Sequence, residues 1–211
     1  MNSAKMECAS FPDYIKTQDE LDLLLSRPSA QLLESIRKFS SPLVIVGAGG
    51  KIGPTLAVMA RRAADGAGCA LEVIAVSRFN TTAPARAWLE QRGVTTLSCD
   101  LLRADSIGQL PDSENVIHLA GQKFGTGQSP AATWAVNVVA SARVAERYPR
   151  ARLVALSTAN VYALSQVSHG QPVQKVPGGT PGLQKTHVLP GKWRPRDLIR
   201  GGSETFFLTG R

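Results

Sequence analysis

This chain of 211 residues has little of what marks a secreted, membrane-embedded or zinc-binding protein. Its cysteines are Cys8, Cys69 and Cys99, odd in number, far apart, and without a Cys-x-x-Cys pair. That argues against a disulfide framework and a zinc site, so free thiols in a reducing cytoplasm and no bound metal are expected. No stretch approaches the roughly 18 to 20 apolar residues of a membrane span. The opening Met1-Asn2-Ser3-Ala4-Lys5-Met6 lacks the apolar run of a signal peptide. Cytoplasmic localisation without membrane association follows as an expectation.

Acidic residues are also in short supply, 16 against 24 Lys and Arg, for a net charge of +8. Residues 171–211 hold seven of the basic residues and only Asp197 and Glu204 as acids, so most of the excess lies in the tail. A basic tail attracts polyanions without sequence preference. No nucleic-acid motif accompanies it, and no specific nucleic-acid partner is expected.

The most informative residues present are Gly47-Ala48-Gly49-Gly50-Lys51-Ile52-Gly53. They follow the apolar run Leu43-Val44-Ile45-Val46 and lead into a helical stretch from Pro54 to Ala64. Glycines occur in ordinary turns too, but strand, glycine turn and helix in that order point to a dinucleotide site. One glycine permits the bend, one lets the backbone approach a pyrophosphate, and one lets helix and strand pack closely. The helix N-terminus offers N–H groups and partial positive charge to the phosphates. Gly47, Gly49, Gly50, Lys51, Ile52 and Gly53 are therefore candidate cofactor residues.

Residues 1–40 read as a helical extension. Thr17-Gln18-Asp19-Glu20 is a capping box ahead of Leu21, Leu23, Leu24 and Leu25, and Pro28 closes that helix. Ser29 caps a second amphipathic segment from Gln31 to Phe39. From residue 41 to about 170 strands and helices alternate. Strands are expected over residues 71–76, 94–98, 115–120 and 152–157, and helices over 84–92 and 104–110. A long helix is expected from Pro130 to Tyr148, capped by Ser129. Near-continuous apolar strands imply a parallel sheet covered on both faces. The expected fold is a doubly wound, Rossmann-type α/β sheet of five parallel strands ordered 3-2-1-4-5, with its crevice at the strands' carboxyl ends. Residues 171–211, with five prolines and seven glycines, read as an irregular, disordered basic tail.

The chain resembles the extended short-chain dehydrogenase/reductase family in its NAD-dependent epimerase/dehydratase branch. The resemblance rests on Gly47-x-x-Gly50-x-x-Gly53, Cys99-Asp100-Leu101, His118-Leu119-Ala120-Gly121, Asn137, and Leu156-Ser157-Thr158-Ala159-Asn160-Val161-Tyr162. It implies that Asp100 hydrogen-bonds the adenine amino group, that Leu101 flanks the ring, and that Ala120 and Gly121 line the nicotinamide side. Thr158 matches the family's catalytic Ser/Thr, although a strand-end threonine serves equally well as a structural residue. The cofactor implied is NAD(P). An acid at the end of the second strand would favour NAD, but the chain has Ser77-Arg78, and a guanidinium suits the 2′-phosphate of NADP. A solvated loop arginine is the alternative for Arg78.

Two features depart from the family. Its acid/base tyrosine, paired with lysine as Tyr-x-x-x-Lys, has no counterpart, because no tyrosine follows Tyr162. The interval holds Leu183-Gln184-Lys185-Thr186-His187 instead. The family's sixth strand and sugar-binding C-terminal subdomain are also missing from the pattern, as in a frame truncated or shifted after about residue 170 or a divergent tail. The expected function is an NAD(P)-binding, epimerase/dehydratase-like oxidoreductase acting on a nucleotide sugar, impaired in catalysis and possible as a homodimer. The alternative is a non-catalytic dinucleotide-binding or redox-sensing interaction module.

Overall fold

The computed structural model describes residues 12–79, 83–122 and 128–156. Two short helices lead in: α1 (Gln18–Leu25) and α2 (Ala30–Ile36). The Thr17 hydroxyl accepts from the Glu20 amide at 3.1 Å, and the Ser29 hydroxyl accepts from the Leu32 amide at 3.2 Å, so both caps form as expected. Glu20 reaches back past Thr17 and accepts from the Lys16 amide at 2.7 Å. The second helix stops at Ile36, short of the Phe39 expected, because the amides of Lys38 and Phe39 turn tightly onto Ser35 and Ile36 carbonyls.

The core alternates strand and helix. The order is β1 (Leu43–Val46), α3 (Gly53–Ala67), β2 (Val73–Ser77), α4 (Ala83–Glu90), β3 (Thr95–Ser98), α5 (Ala104–Gly108) and β4 (Asn115–His118). A helix in three parts follows, α6 (Pro130–Trp134), a π-helical stretch (Ala135–Ala140) and α7 (Ser141–Arg147), and then β5 (Arg152–Ala155). All strand pairs are parallel, in the order β3-β2-β1-β4-β5. This is the five-stranded, doubly wound α/β sheet expected. Leu43 of β1 lies level with Val73 of β2 and Asn115 of β4.

Alternation along β1 divides the core in two. Leu43 and Ile45 pack with α3, α2 and Leu89 of α4, while Val44 and Val46 pack with Ile107 of α5, Val144 of α7 and Tyr148. Helix α3 lies close because its inward face is alanine, at 57, 60, 63, 64 and 67. The lead-in docks on it: Ile36 joins that core, and the Arg62 guanidinium donates to the Leu23 carbonyl and the Ser26 hydroxyl, both at 3.0 Å.

Three expectations need correction. Strands covered on both faces describe β1 and β2, but β3 and β5 are edges, and Val154 of β5 is 39% exposed. The long helix from residue 130 is not α-helical throughout, since its middle six residues widen into π geometry. Ser129 does not cap it with its side chain; its backbone carbonyl instead accepts from the Thr133 amide and hydroxyl. The expected tail, residues 171–211, lies outside the described residues. No helix among the described residues is long and apolar enough to cross a membrane.

Candidate functional site

A cleft of about 250 Å³ opens where the carboxyl ends of β1, β2, β3 and β4 meet. Its walls include Gly47, Gly49, Gly50, Ser77, Arg78, Asp100, Leu101, Ala120 and Gly121, nine of the candidate residues. Phe79, Cys99, Leu102, Leu119, Val136 and Ala140 complete it. This is the switch point of the strand order, where β1 leads leftward to β2 and the chain returns rightward to β4.

The glycines do different work. Gly47 has φ +83, a left-handed conformation, and a Cβ there would fall 2.3 Å from the Ala120 nitrogen. It therefore lets the turn bend and lets the β1 and β4 loops touch. A Cβ on Gly53 would fall 2.3 Å from the Ala48 carbonyl oxygen, so Gly53 lets α3 start against the turn. Gly50 differs from both: a Cβ there would meet only the Gly47 oxygen, at 3.4 Å. The fold barely needs Gly50 bare, and the side facing the cleft is left open for a ligand. Lys51 is exposed and Ile52 is 54% exposed, and neither lines the cleft. Among the described residues no side chain caps the N-terminus of α3, so none of them occupies its first amides as a cap.

Around the rim, Arg78 follows β2 in an exposed position, and its guanidinium has no hydrogen-bond or ion-pair partner among the described residues. Its carbonyl accepts from the Ser98 hydroxyl at 3.1 Å, which ties the β2 and β3 ends together. Asp100 uses Oδ1 to accept from the Leu102 amide at 3.0 Å, and its own amide donates to the Ser106 hydroxyl. That turn fixes the carboxylate at the cleft edge. The Ser106 hydroxyl in turn donates to the Cys99 sulfur at 3.4 Å. Burial pushes the Cys99 thiol up, and that outweighs the Ser106 bond, so Cys99 is a neutral wall and not a nucleophile.

On the far side, the π-helical stretch presents Val136 and Ala140 to the cleft. Between them, Asn137 grips the loop after β4. Its Oδ1 accepts from the Gln122 amide at 2.7 Å, and its Nδ2 donates to the Gln122 carbonyl at 3.1 Å. The sequence marked Asn137 as part of a pattern but assigned it no contact. A π turn inserts one residue into the helical register, and such turns cluster at functional sites. His118, at the end of β4, is almost fully buried just below this loop, and burial pulls its pKa down to about 4.

Thr158, Tyr162, Lys185 and His187 lie outside the described residues. Among the described residues no cluster of three His, Cys, Asp or Glu side chains could hold a metal ion.

Comparison with known proteins bears on this arrangement. The model of the NAD dependent epimerase/dehydratase family matches residues 43–181, most of the chain, and runs past the change of composition at about residue 170. No curated protein matches. Among solved structures, one titled "X-ray structure of Pen from Bacillus thuringiensis" is similar at 17% identity, with a TM-score of 0.41. The similarity covers 52% of this chain and 34% of that one, so the chain spans about a third of the other protein's length.

Proposed function

Because this chain belongs to the NAD-dependent epimerase/dehydratase family, for which NAD(P) binding and oxidoreductase-type chemistry follow, we propose that its cleft takes NADP in preference to NAD and faces a nucleotide-sugar substrate. The observation that carries the proposal is the open side of Gly50 beside the uncapped start of α3, where a pyrophosphate could approach backbone N–H groups. The residues of the cleft fit the dinucleotide along its length. Gly47, Gly49 and Gly50 would receive the pyrophosphate, and Asp100 and Leu101 the adenine. Ser77 and the unpaired Arg78 would take the ribose 2′-phosphate through charge-assisted bonds, and Ala120 and Gly121 would flank the nicotinamide.

The nicotinamide, when bound, supplies reversible hydride acceptance. The chain's own contribution is to bind and orient it, with Thr158 polarising a substrate hydroxyl. Lacking a tyrosine beyond Tyr162, the chain has no counterpart of the group that would exchange the hydroxyl proton. General acid/base catalysis contributes about 10²–10⁴-fold, so turnover is lowered by that order. The same absence favours a second reading, a module that binds the dinucleotide to sense redox state and partners another protein or a second copy.

Calorimetric titration with NADP and NAD tests the first reading. NADP should bind about tenfold tighter, and Arg78→Ala should erase the difference. A folded protein that binds neither would overturn the proposal, and a preference for NAD would overturn the role of Arg78. Turnover on nucleotide sugars at the family's full rate would remove the case for impaired catalysis.

A further inference from the structure

We propose that His118 and Ser141 are positioning residues that, through Asn137, hold the loop 119–122 in place at the cleft. The side chains form a closed circuit. His118 Nε2 lies 2.9 Å from the Ser141 hydroxyl, and that hydroxyl donates to the Asn137 carbonyl at 3.0 Å. With its proton committed to Asn137, the serine oxygen can only accept from the imidazole, so Nε2 carries the hydrogen and Nδ1 is a bare lone pair. Asn137 then clamps both backbone groups of Gln122, four residues beyond His118. The circuit runs from the end of β4 into the helix and back to the loop that β4 feeds.

Two observations set this apart from ordinary packing. His118 Nδ1 is buried without a hydrogen-bond partner among the described residues, a cost that an apolar side chain at this place would avoid. The Nε2 bond is what the histidine contributes in return. In addition, the serine bond falls on the carbonyl of the residue within the π-helical stretch that does the clamping. Where the helical ladder loses its regular register, a side-chain donor fixes the carbonyl and hence the direction of the Asn137 side chain. Ala120 and Gly121, on the clamped loop, line the cleft together with Val136 and Ala140 from the π-helical stretch. The circuit therefore sets the distance between the two sides of one wall. Which ligand the loop serves rests on the dinucleotide reading above, but the positioning itself does not.

The test uses the full chain and reads amide hydrogen exchange residue by residue, together with NADP titration. Ser141→Ala should speed exchange of the Gln122 amide at least tenfold while the amides of β1 and α3 keep their protection. Ser141→Thr, which retains a hydroxyl able to bond the carbonyl one turn back, should restore wild-type exchange. NADP affinity should fall about tenfold in Ser141→Ala and recover in Ser141→Thr. Nitrogen-15 spectra of the unsubstituted protein at neutral pH should show His118 as the Nε2–H tautomer. This last measurement stands even if Ser141→Ala does not fold. Unchanged exchange at Gln122 in a folded Ser141→Ala, or an Nδ1–H tautomer, would overturn the proposal. Absence of NADP and NAD binding in the unsubstituted protein would overturn the dinucleotide reading alone, because the exchange and tautomer measurements need no ligand.

Discussion

At the β1–α3 end of the cleft the walls are backbone, whereas at the β4 end they are held by side chains. Gly47 and Gly53 bring main-chain atoms into contact where any Cβ would collide, whereas among the described residues a Cβ on Gly50 would meet only the Gly47 oxygen. Across the cleft, the Asn137 amide, the Ser141 hydroxyl and the His118 imidazole hold the loop after β4 through a chain of hydrogen bonds. The difference follows from what each end must do. A pyrophosphate is recognised by close approach to N–H groups, which bulk prevents. A loop that needs a set spacing requires struts, and side chains supply them.

The comparison predicts opposite responses to adding a Cβ at two neighbouring glycines, and this is the largest effect expected. Gly47→Val places its Cβ 2.3 Å from the Ala120 nitrogen at φ +83, so it should cost more than about 3 kcal/mol and leave little folded protein. Gly50→Val meets only the Gly47 oxygen at 3.4 Å. Its urea midpoint should correspond to a loss within about 1 kcal/mol. Its NADP affinity, in contrast, should drop at least about 100-fold, or about 2.7 kcal/mol. Equal destabilisation of both variants would break the distinction between a glycine used by the fold and one left for a ligand.

The side-chain end carries an acid sensitivity that the backbone end lacks. His118 is held near pKa 4 by burial, below the ordinary histidine value of 6.5, so between these values the unfolded chain binds a proton that the folded chain does not. Stability from this group is fully present above about pH 6.5, falls as the pH drops, and levels off below about pH 4. The gap corresponds to roughly 3 kcal/mol. Urea unfolding at pH 7 and pH 4.5 should show most of that loss, and His118→Gln should flatten the slope while being less stable at pH 7. A slope unchanged in His118→Gln would place the titrating group elsewhere.

The contrast also explains what the sequence revealed. Strand order, the glycine turn and the caps at Thr17 and Ser29 are local patterns, visible because neighbours in sequence do the work. Nine cleft residues were legible for the same reason: they sit at strand ends, which the apolar runs mark. The circuit from His118 to Gln122 was not legible, because it joins a strand to a helix about 20 residues away and back. The π-helical stretch left no signal either, since Ala135-Val136-Asn137-Val138-Val139-Ala140 reads as ordinary helix by composition. Lys51 and Ile52 could not be separated from the glycines around them by pattern alone. Only the turn's curvature shows that they face outward.

One side chain on the glycine half sharpens the comparison, with the smallest effect of the set. Asp100 already spends one lone pair of Oδ1 on the Leu102 amide at 3.0 Å, so its second oxygen is the freer acceptor for a ligand. In Asp100→Asn the amide oxygen keeps the bond to Leu102 and the turn survives, which predicts unchanged thermal stability. The amide nitrogen then replaces the free oxygen and sets a donor against the adenine amino group, itself a donor. Losing one hydrogen bond to a charged acceptor costs about 1.5–3 kcal/mol at most, and partial exposure of the cleft edge brings the expected loss to about tenfold in NADP affinity. Nicotinamide mononucleotide, which has no adenine, should bind Asp100→Asn and the unsubstituted protein alike. Equal weakening of both ligands would show Asp100 acting through the fold of the cleft rather than on the adenine. Retention of full NADP affinity would place the adenine beyond its reach.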